Sequence, residues 1–274
     1  MRRFHLALAL MSGLACSGCF RATTLIRVNG DGSGTIVTRT IVLPSAAPRL
    51  RQMFAALGAG DVGDLADFDP TFEPSARRVA SELGATFVSS TPIDGPDGRG
   101  REATFAFTNI NELHMTAAQA EMLVSHAAAT PDEMTQPISF ELRRGSEGSA
   151  VLKVGLSLWD PSAANPFQLA TPKSNQWLDE RANAALVRDL VAGAHLTLAI
   201  EPNGAIVRAN TPYVEGRRVT LFDIELERVT TDEFEMKMAG ARTDEERRAV
   251  LSDAGGVNIA IAKDITIEFT PSKF

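Results

Sequence analysis

Residues 24–43 read TLIRVNGDGSGTIVTRTIVL, and they have the layout of a β-hairpin. Two apolar-rich segments, 24–28 and 35–43, flank the glycine-rich stretch 29–34. Glycine adopts backbone conformations that other residues avoid, so a stretch of this kind is typical of a turn between paired strands. The sequence therefore predicts an antiparallel strand pair here.

A second pair of segments, 196–201 and 205–208, flanks Pro202-Asn203-Gly204. The Asn-Gly step tolerates the positive φ angles of a tight type I′ turn, which predicts a second hairpin. Residues 218–228 are predicted as the strand that follows. One side of that strand is predicted to carry Thr220, Phe222, Ile224 and Leu226.

Four more segments alternate apolar and polar residues: 103–108, 138–143, 152–158 and 265–270. A period of two with one polar face indicates half-buried strands of an antiparallel sheet. The strands of an all-parallel sheet are buried on both faces and would read as continuous apolar runs instead.

The longest predicted helix covers residues 174–192. It has Ser174 as its N-cap and Gly193 as its stop, and it is amphipathic. Its apolar stripe consists of Leu178, Ala182, Leu186 and Leu190. Shorter helices are predicted at 48–57, 74–83, 117–129 and 244–252.

The predicted fold class is therefore α+β. We expect a mostly antiparallel curved sheet, with the one long amphipathic helix (174–192) and several short helices packed on one face. Since no repeat or long linker divides the chain, residues 20–274 are predicted to form a single two-lobed α+β domain.

The first 18 residues have the layout of a secretory signal peptide. Arg2 and Arg3 form a positive start, 4–15 is a short apolar segment, and small residues follow. The apolar segment is too short for a comfortable transmembrane helix. An uncleaved anchor helix and an ordinary cleaved signal are the alternatives.

Both cysteines of the chain, Cys16 and Cys19, stand at the end of this segment. The structural cysteines of an exported protein would be spread through the fold and paired. The pattern instead resembles a bacterial lipoprotein signal, with Cys19 as the lipidated N-terminus of the mature protein and Cys16 as the alternative. That resemblance implies a diacylglyceryl cysteine with palmitate-type chains, attached on the exported side of the bacterial cell envelope, in a membrane that the sequence does not identify.

The remaining residues offer little catalytic chemistry. The chain carries a net charge of −7, which argues against a nucleic-acid partner. With no cysteine beyond Cys19, thiol catalysis and thiolate metal sites are excluded from the body. The three body histidines, His114, His126 and His195, form no metal-binding pair and stand beside no obvious carboxylate relay in the sequence. No catalytic residue, metal site or cofactor is predicted.

Five methionines lie on or beside predicted elements: Met115, Met122, Met134, Met236 and Met238. Methionine is flexible and polarisable, so it fills cores and also lines adaptable apolar surfaces. Core filling is the default interpretation, and a soft apolar cavity is the functional one.

Two stretches resemble the LppM-like bacterial lipoproteins. One is Cys19 followed by residues 24–34, and the other is residues 195–210 followed by 216–222. The 201–204 turn departs from the more usual Pro-Gly, and Phe222 stands where tryptophan is frequent. The resemblance implies an α+β domain that binds lipids or glycolipids, and it carries over no binding residue.

The leading hypothesis is thus an exported, lipid-anchored envelope protein that is not an enzyme and that binds an apolar or amphiphilic ligand, such as a lipid or glycolipid. The alternative is a structural or interaction lipoprotein that docks an envelope protein. A hydrolase with dispersed carboxylates is a third hypothesis. The residues that bind the ligand are unknown at this stage.

Overall fold

The fold is known from a computed structural model, which describes residues 20–44, 71, 73–116, 137–156, 193–229, 231–260 and 264–272. Strands make up 55% of these residues and helices 24%, so this part of the chain is mostly β.

Thirteen strands and four α-helices are described. The strands are β1 (Phe20–Val28), β2 (Gly34–Val42), β3 (Thr86–Gly95), β4 (Gly98–Phe107), β5 (Met115–Thr116), β6 (Pro137–Arg144), β7 (Ala150–Leu156), β8 (His195–Pro202), β9 (Gly204–Ala209), β10 (Val214–Glu215), β11 (Arg218–Glu225), β12 (Val257–Ile259) and β13 (Asp264–Pro271). The helices are α1 (Glu73–Leu83), α2 (Leu226–Val229), α3 (Asp232–Gly240) and α4 (Asp244–Ala254).

The large sheet contains eight strands in the order β10-β11-β8-β1-β2-β4-β3, with β12 added beside β11. β1 is its central strand, antiparallel to β2 and parallel to β8. We call the two ends of this sheet the Phe20 end, where β1 and β8 begin, and the Asn29 end, where they finish.

The small sheet contains five strands in the order β5-β6-β7-β13-β9. Its buried side chains and those on the inner face of the large sheet belong to one continuous apolar core. Ile26, Ile36 and Phe105 are central members from the large sheet, and Leu152 and Ile267 are central members from the small sheet. Side chains of the opposite parity on the large sheet form its outer face.

This architecture corrects the predicted α+β class with one curved sheet and a long amphipathic helix. The described residues form two sheets rather than one, and their helices reach only 11 residues in α1 and α4. Two period-two sheets that share one core bury their apolar faces against each other, which leaves helices a minor part in covering them. The predicted helices at 48–57, 117–129 and 174–192 fall outside the described residues. The prediction of a single domain over 20–274 stays a prediction.

The first predicted hairpin is confirmed and the second is wrong. β1 and β2 pair from Phe20↔Val42 to Val28↔Gly34 around the 29–34 turn. β8 instead lies between β1 and β11, so both of its edges are occupied. The Pro202-Asn203-Gly204 turn therefore carries the chain from the large sheet to the small one, where β9 pairs with β13.

The strand predicted at 218–228 is shorter than expected. β11 ends at Glu225 and α2 follows. A bulge between Thr220 and Phe222 places Thr220 opposite Ala199 and Phe222 opposite Leu198. Because Ala199 and Leu198 point to opposite faces, Thr220 and Phe222 do not share a side as predicted.

Two of the short helices are confirmed. α1 matches the prediction at 74–83, and its buried side chains join the core. α4 matches the prediction at 244–252 and begins with a capping box, in which the Thr243 side chain accepts from the Glu246 backbone and the Glu246 side chain accepts from the Thr243 backbone.

Candidate functional site

The outer face of the large sheet joins His195 of β8 to Asp223 of β11 near the Phe20 end. His195 Nε2 lies 2.7 Å from Asp223 Oδ1, and both side chains are about one-third exposed. Thr197 Oγ1 donates to the same carboxylate oxygen at 2.7 Å. Strand pairing creates this cluster, because Thr197 stands directly opposite Asp223 in the β8–β11 register.

The cluster shifts the titration of both groups. The pKa of His195 is raised, mainly by its hydrogen bond with Asp223 and further by the charges of Asp223 and Glu225, while partial burial and Arg21 oppose the shift. The pKa of Asp223 is lowered, mainly by the hydrogen bond with His195, with further hydrogen bonds from Thr197 and Asn258. Hydrogen bonds to the charged form of each group are the physical cause.

This geometry differs from that of an activated nucleophile. A histidine base must accept the proton of the hydroxyl that attacks. Here the Thr197 hydroxyl is directed at Asp223, which His195 also contacts. The cluster is therefore a hydrogen-bonded histidine–carboxylate pair, ionic when His195 is protonated, with a supporting hydroxyl, and it ties β8 to β11.

Next to this cluster lies a strip of mixed chemistry, which we call the outer strip: Arg21, Thr23 and Leu25 of β1 with Val37 and Arg39 of β2. The register sets Thr23 opposite Arg39 and Leu25 opposite Val37, so all five side chains share the outer face. Leu25 and Val37 are half-buried, whereas both arginines are exposed.

The arginines of the outer strip retain free charge. Neither Arg21 nor Arg39 forms an ion pair with another described residue. Glu102 of β4 stands opposite Arg39, and it is the acidic residue directly across from the strip. The strip can therefore offer guanidinium groups to an anion and an apolar surface beside them.

The inner face behind the strip is unusually polar for a core. Thr24, Thr38 and Thr40 are all buried there. Thr24 Oγ1 and Thr38 Oγ1 form a hydrogen bond of 3.3 Å. Thr40 Oγ1 is buried and has no hydrogen-bond partner among the described residues.

A depression of about 290 Å³ lies among α2, α3 and α4. Several of its lining charges are already paired, as Lys237 Nζ lies 2.8 Å from Glu233 Oε1 and Arg228 Nε lies 3.9 Å from Glu227 Oε1. Because these pairs are exposed and mutually neutralised, this cleft is the weaker candidate for a charged ligand.

Only some of the cysteines and histidines that the sequence analysis considered lie among the described residues. Cys19 and its alternative Cys16 lie outside the described residues, as does His126. His114 is exposed, and its backbone N–H donates to the carbonyl of Leu83 at 3.0 Å. His195 does stand beside a carboxylate, which sequence reasoning missed because its partner Asp223 is 28 positions away.

The methionines line no shared surface in the described part of the chain. Met115 is buried in the core, Met238 packs partly against it, and Met236 is 72% exposed. Met122 and Met134 fall outside the described residues. Core filling is therefore confirmed for Met115.

Two features of the described ranges bear on metal ions and membranes. No group of three or more His, Cys, Asp or Glu side chains in these ranges is placed to hold a metal ion. None of the helices formed by these residues is long and apolar enough to span a bilayer.

Comparison with known proteins gives one structural similarity. No protein-family model and no curated protein matches the chain. Among solved structures, the chain is similar to the folded domain of LppM from Mycobacterium tuberculosis, determined by NMR, with 13% identity over 94% of this chain and 93% of that one. The TM-score is 0.35. The resemblance to the LppM-like lipoproteins extends only this far, and at this score it carries no argument about residues or function.

Proposed function

We propose that this protein is an exported, lipid-anchored protein of the bacterial cell envelope that binds an amphiphilic ligand with an anionic headgroup. Acylated Cys19 is the anchor, and the outer strip is the binding surface. The observation that carries this proposal is the position of β1, which begins at Phe20, immediately after Cys19, and supplies Arg21, Thr23 and Leu25 to the strip.

The chemistry of the strip favours an amphiphile over a purely apolar ligand. A phosphate or carboxylate is recognised well by guanidinium groups, and Arg21 and Arg39 are exposed for such contacts. Leu25 and Val37, half-buried next to them, offer an apolar surface to the rest of the ligand. Because the strand that carries the strip follows the anchor directly, the lipids of the same membrane are its nearest ligands.

The anchor is tested first, in the full chain expressed in a bacterium. We expect labelled palmitate to be incorporated into wild type and into Cys16→Ala, and to be absent from Cys19→Ala. Only the Cys19→Ala substitution should remove the mature protein from the membrane fraction. Incorporation that follows Cys16 instead would move the anchor to that residue, and no incorporation at all would refute a lipoprotein.

The binding surface is tested by titrating the mature protein with a short-chain phosphatidylglycerol, which carries one anionic headgroup. Arg21→Gln with Arg39→Gln should weaken binding by tenfold or more, since a hydrogen bond to a charged group is worth about 1.5–3 kcal/mol. The matched control is Arg144→Gln with Arg248→Gln, because these arginines are exposed elsewhere on the molecule. Equal affinity of the two double variants would exclude the outer strip.

A protein partner is the second candidate function, and one edge of the small sheet favours it. β9 is the last strand of that sheet, and its Val207 is 61% exposed. An edge strand with unpaired backbone groups can accept a strand from another protein. Val207→Lys should abolish in-envelope cross-linking to such a partner while leaving phosphatidylglycerol binding unchanged.

A further inference from the structure

The distance between the proposed anchor and the folded body is a single peptide unit. Phe20, the residue after Cys19, is already paired with Val42 of β2. Arg21 is paired with His195 of β8 on the other side. Consecutive Cα atoms are about 3.8 Å apart, so an acylated Cys19 leaves no slack between the bilayer surface and the sheet.

The strand that receives the anchor is also the middle strand of the large sheet. In the order β10-β11-β8-β1-β2-β4-β3, three strands lie on each side of β1. At roughly 4.8 Å per strand, the sheet extends about 14 Å to either side of the anchor. A sheet held at its centre cannot tilt far before one flank enters the bilayer, so short anchoring at this position restricts its orientation.

Both flanks reach the level of the anchor. On one side, Val42 is paired with Arg99 and Arg99 with Asp94, so the 95–98 turn between β3 and β4 extends beyond the row of Phe20. On the other side, the Leu226 N–H donates to the carbonyl of Ala194 at 2.8 Å, which brings the start of α2 to the same row.

The residues at this end suit a headgroup layer. Exposed charges of both signs lie there: Arg21 and Asp97, together with the ion pair in which Arg99 Nε is 3.4 Å from Asp94 Oδ1. Side chains of both signs can bind the phosphates and the amines of phospholipid headgroups, whereas an apolar end would insert among the acyl chains.

From these observations we infer that the Phe20 end of the large sheet rests on the phospholipid headgroups of the anchoring membrane, with the Asn29 end directed away from it. This inference rests on the proposed function, because it requires acylation of Cys19. The nine residues of β1 then place the 29–34 turn about 30 Å above the headgroups. The sheet stands upright, and the Arg21 end of the outer strip lies at headgroup level.

The test uses the full chain, in which no cysteine follows Cys19, so that one new cysteine can be labelled selectively. Asp97→Cys reports on the Phe20 end. Glu215→Cys is the matched control, since Glu215 is also exposed and acidic, it ends β10 just before the turn to β11, and its row is near that of Arg27, at the Asn29 end. Each variant carries a fluorophore and is reconstituted into phosphatidylcholine vesicles that contain a lipid with a nitroxide quencher on its headgroup.

We expect the label at residue 97 to lose most of its emission and the label at 215 to lose none. A flexible Gly/Ser linker inserted between Cys19 and Phe20 should remove this difference. Equal quenching at both positions, in a protein whose mass shows an acylated Cys19, would overturn the orientation alone. A mass without acyl chains would overturn the proposed anchor, and the orientation with it.

Discussion

The two ends of the large sheet are built on different principles. At the Asn29 end, the inner face is apolar and the turns are joined by direct hydrogen bonds: Asn203 Nδ2 donates to Asn29 Oδ1 at 3.0 Å, and the Ser272 N–H donates to the carbonyl of Asn203 at 2.9 Å. From the middle of β1 towards the Phe20 end, the buried Thr24, Thr38 and Thr40 stand on the inner face beside the apolar Phe20 and Ala22. The inner face thus becomes more polar away from the Asn29 end, and the Thr40 hydroxyl, unpaired among the described residues, has some cost in stability.

Glycine substitutions give the largest expected contrast between one position at each end, Gly34 at the Asn29 end and Gly95 at the Phe20 end. A Cβ on Gly34 would lie 2.0 Å from the backbone oxygen of Arg27 and 2.5 Å from Phe107 Cζ. Since the backbone atom cannot move aside, Gly34→Ala should lower the free energy of unfolding by about 3 kcal/mol. Urea denaturation measures this value.

The matched control is Gly95→Ala in the β3–β4 turn of the Phe20 end. A Cβ there meets nothing within 4 Å. We expect a change within about 0.5 kcal/mol of wild type. A large loss from Gly95→Ala, or a small one from Gly34→Ala, would contradict the difference in packing between these two positions.

The buried threonines should respond in opposite directions. Thr38→Val removes one partner of the Thr24–Thr38 hydrogen bond and leaves the Thr24 hydroxyl buried alone, which should destabilise the protein by about 1 kcal/mol. Thr40→Val removes a buried hydroxyl that has no partner among the described residues, so it should stabilise by about 1 kcal/mol. The urea denaturation midpoints of the Thr38→Val and Thr40→Val variants test both expectations. A loss of stability in Thr40→Val would mean that the Thr40 hydroxyl has a hydrogen-bond partner in solution.

The hydrogen bond between Asn29 and Asn203 contributes to the stability of the Asn29 end, and its contribution can be measured directly. It joins two turns that are 174 positions apart in the chain. A double-mutant cycle with Asn29→Ala and Asn203→Ala should give a coupling free energy of about 1 kcal/mol. Additive losses in the cycle would mean that the turns are held by the backbone hydrogen bonds alone.

The contrast also explains what the sequence could predict. Strands at 24–28, 103–108, 138–143 and 265–270 are identifiable because a half-buried strand imposes a period of two on its own residues. α4 is identifiable because its capping box, Thr243 with Glu246, is local. Such features are encoded within a few consecutive positions.

Features that depend on distant pairing were missed. The turn at Pro202-Asn203-Gly204 has hairpin chemistry, but β8 has no free edge once β1 and β11 flank it. β3 carries no clear alternation and includes Pro92, which the edge of a sheet tolerates. The His195–Asp223 pair and the outer strip likewise require the strand register, which no single segment contains.

The smallest expected effect concerns the pH dependence that the His195–Asp223 pair gives to the Phe20 end. Folding raises the pKa of His195 above 6.5, so its contribution to stability is complete below that value and is lost as pH rises through the raised pKa. Folding lowers the pKa of Asp223 below 3.8, so its contribution is lost only as pH falls through that lowered pKa. The pair should therefore stabilise the protein most between about pH 4 and 6.5, by no more than about 1 kcal/mol because both side chains are partly exposed.

Asp223→Asn should remove this pH dependence of the free energy of unfolding, because it removes the carboxylate partner of His195. The pKa of His195, followed by NMR of its ring proton, should fall towards or below 6.5, because Glu225 and Arg21 act on it in opposite directions once Asp223 is neutral. The decline in unfolding free energy between pH 6 and 8 should flatten, as about one proton fewer is linked to folding. Asp97→Asn, which removes an exposed charge from the same end, should leave both measurements unchanged. An unaltered His195 titration in Asp223→Asn would contradict the pair, and the pH response of the Phe20 end would then need another source.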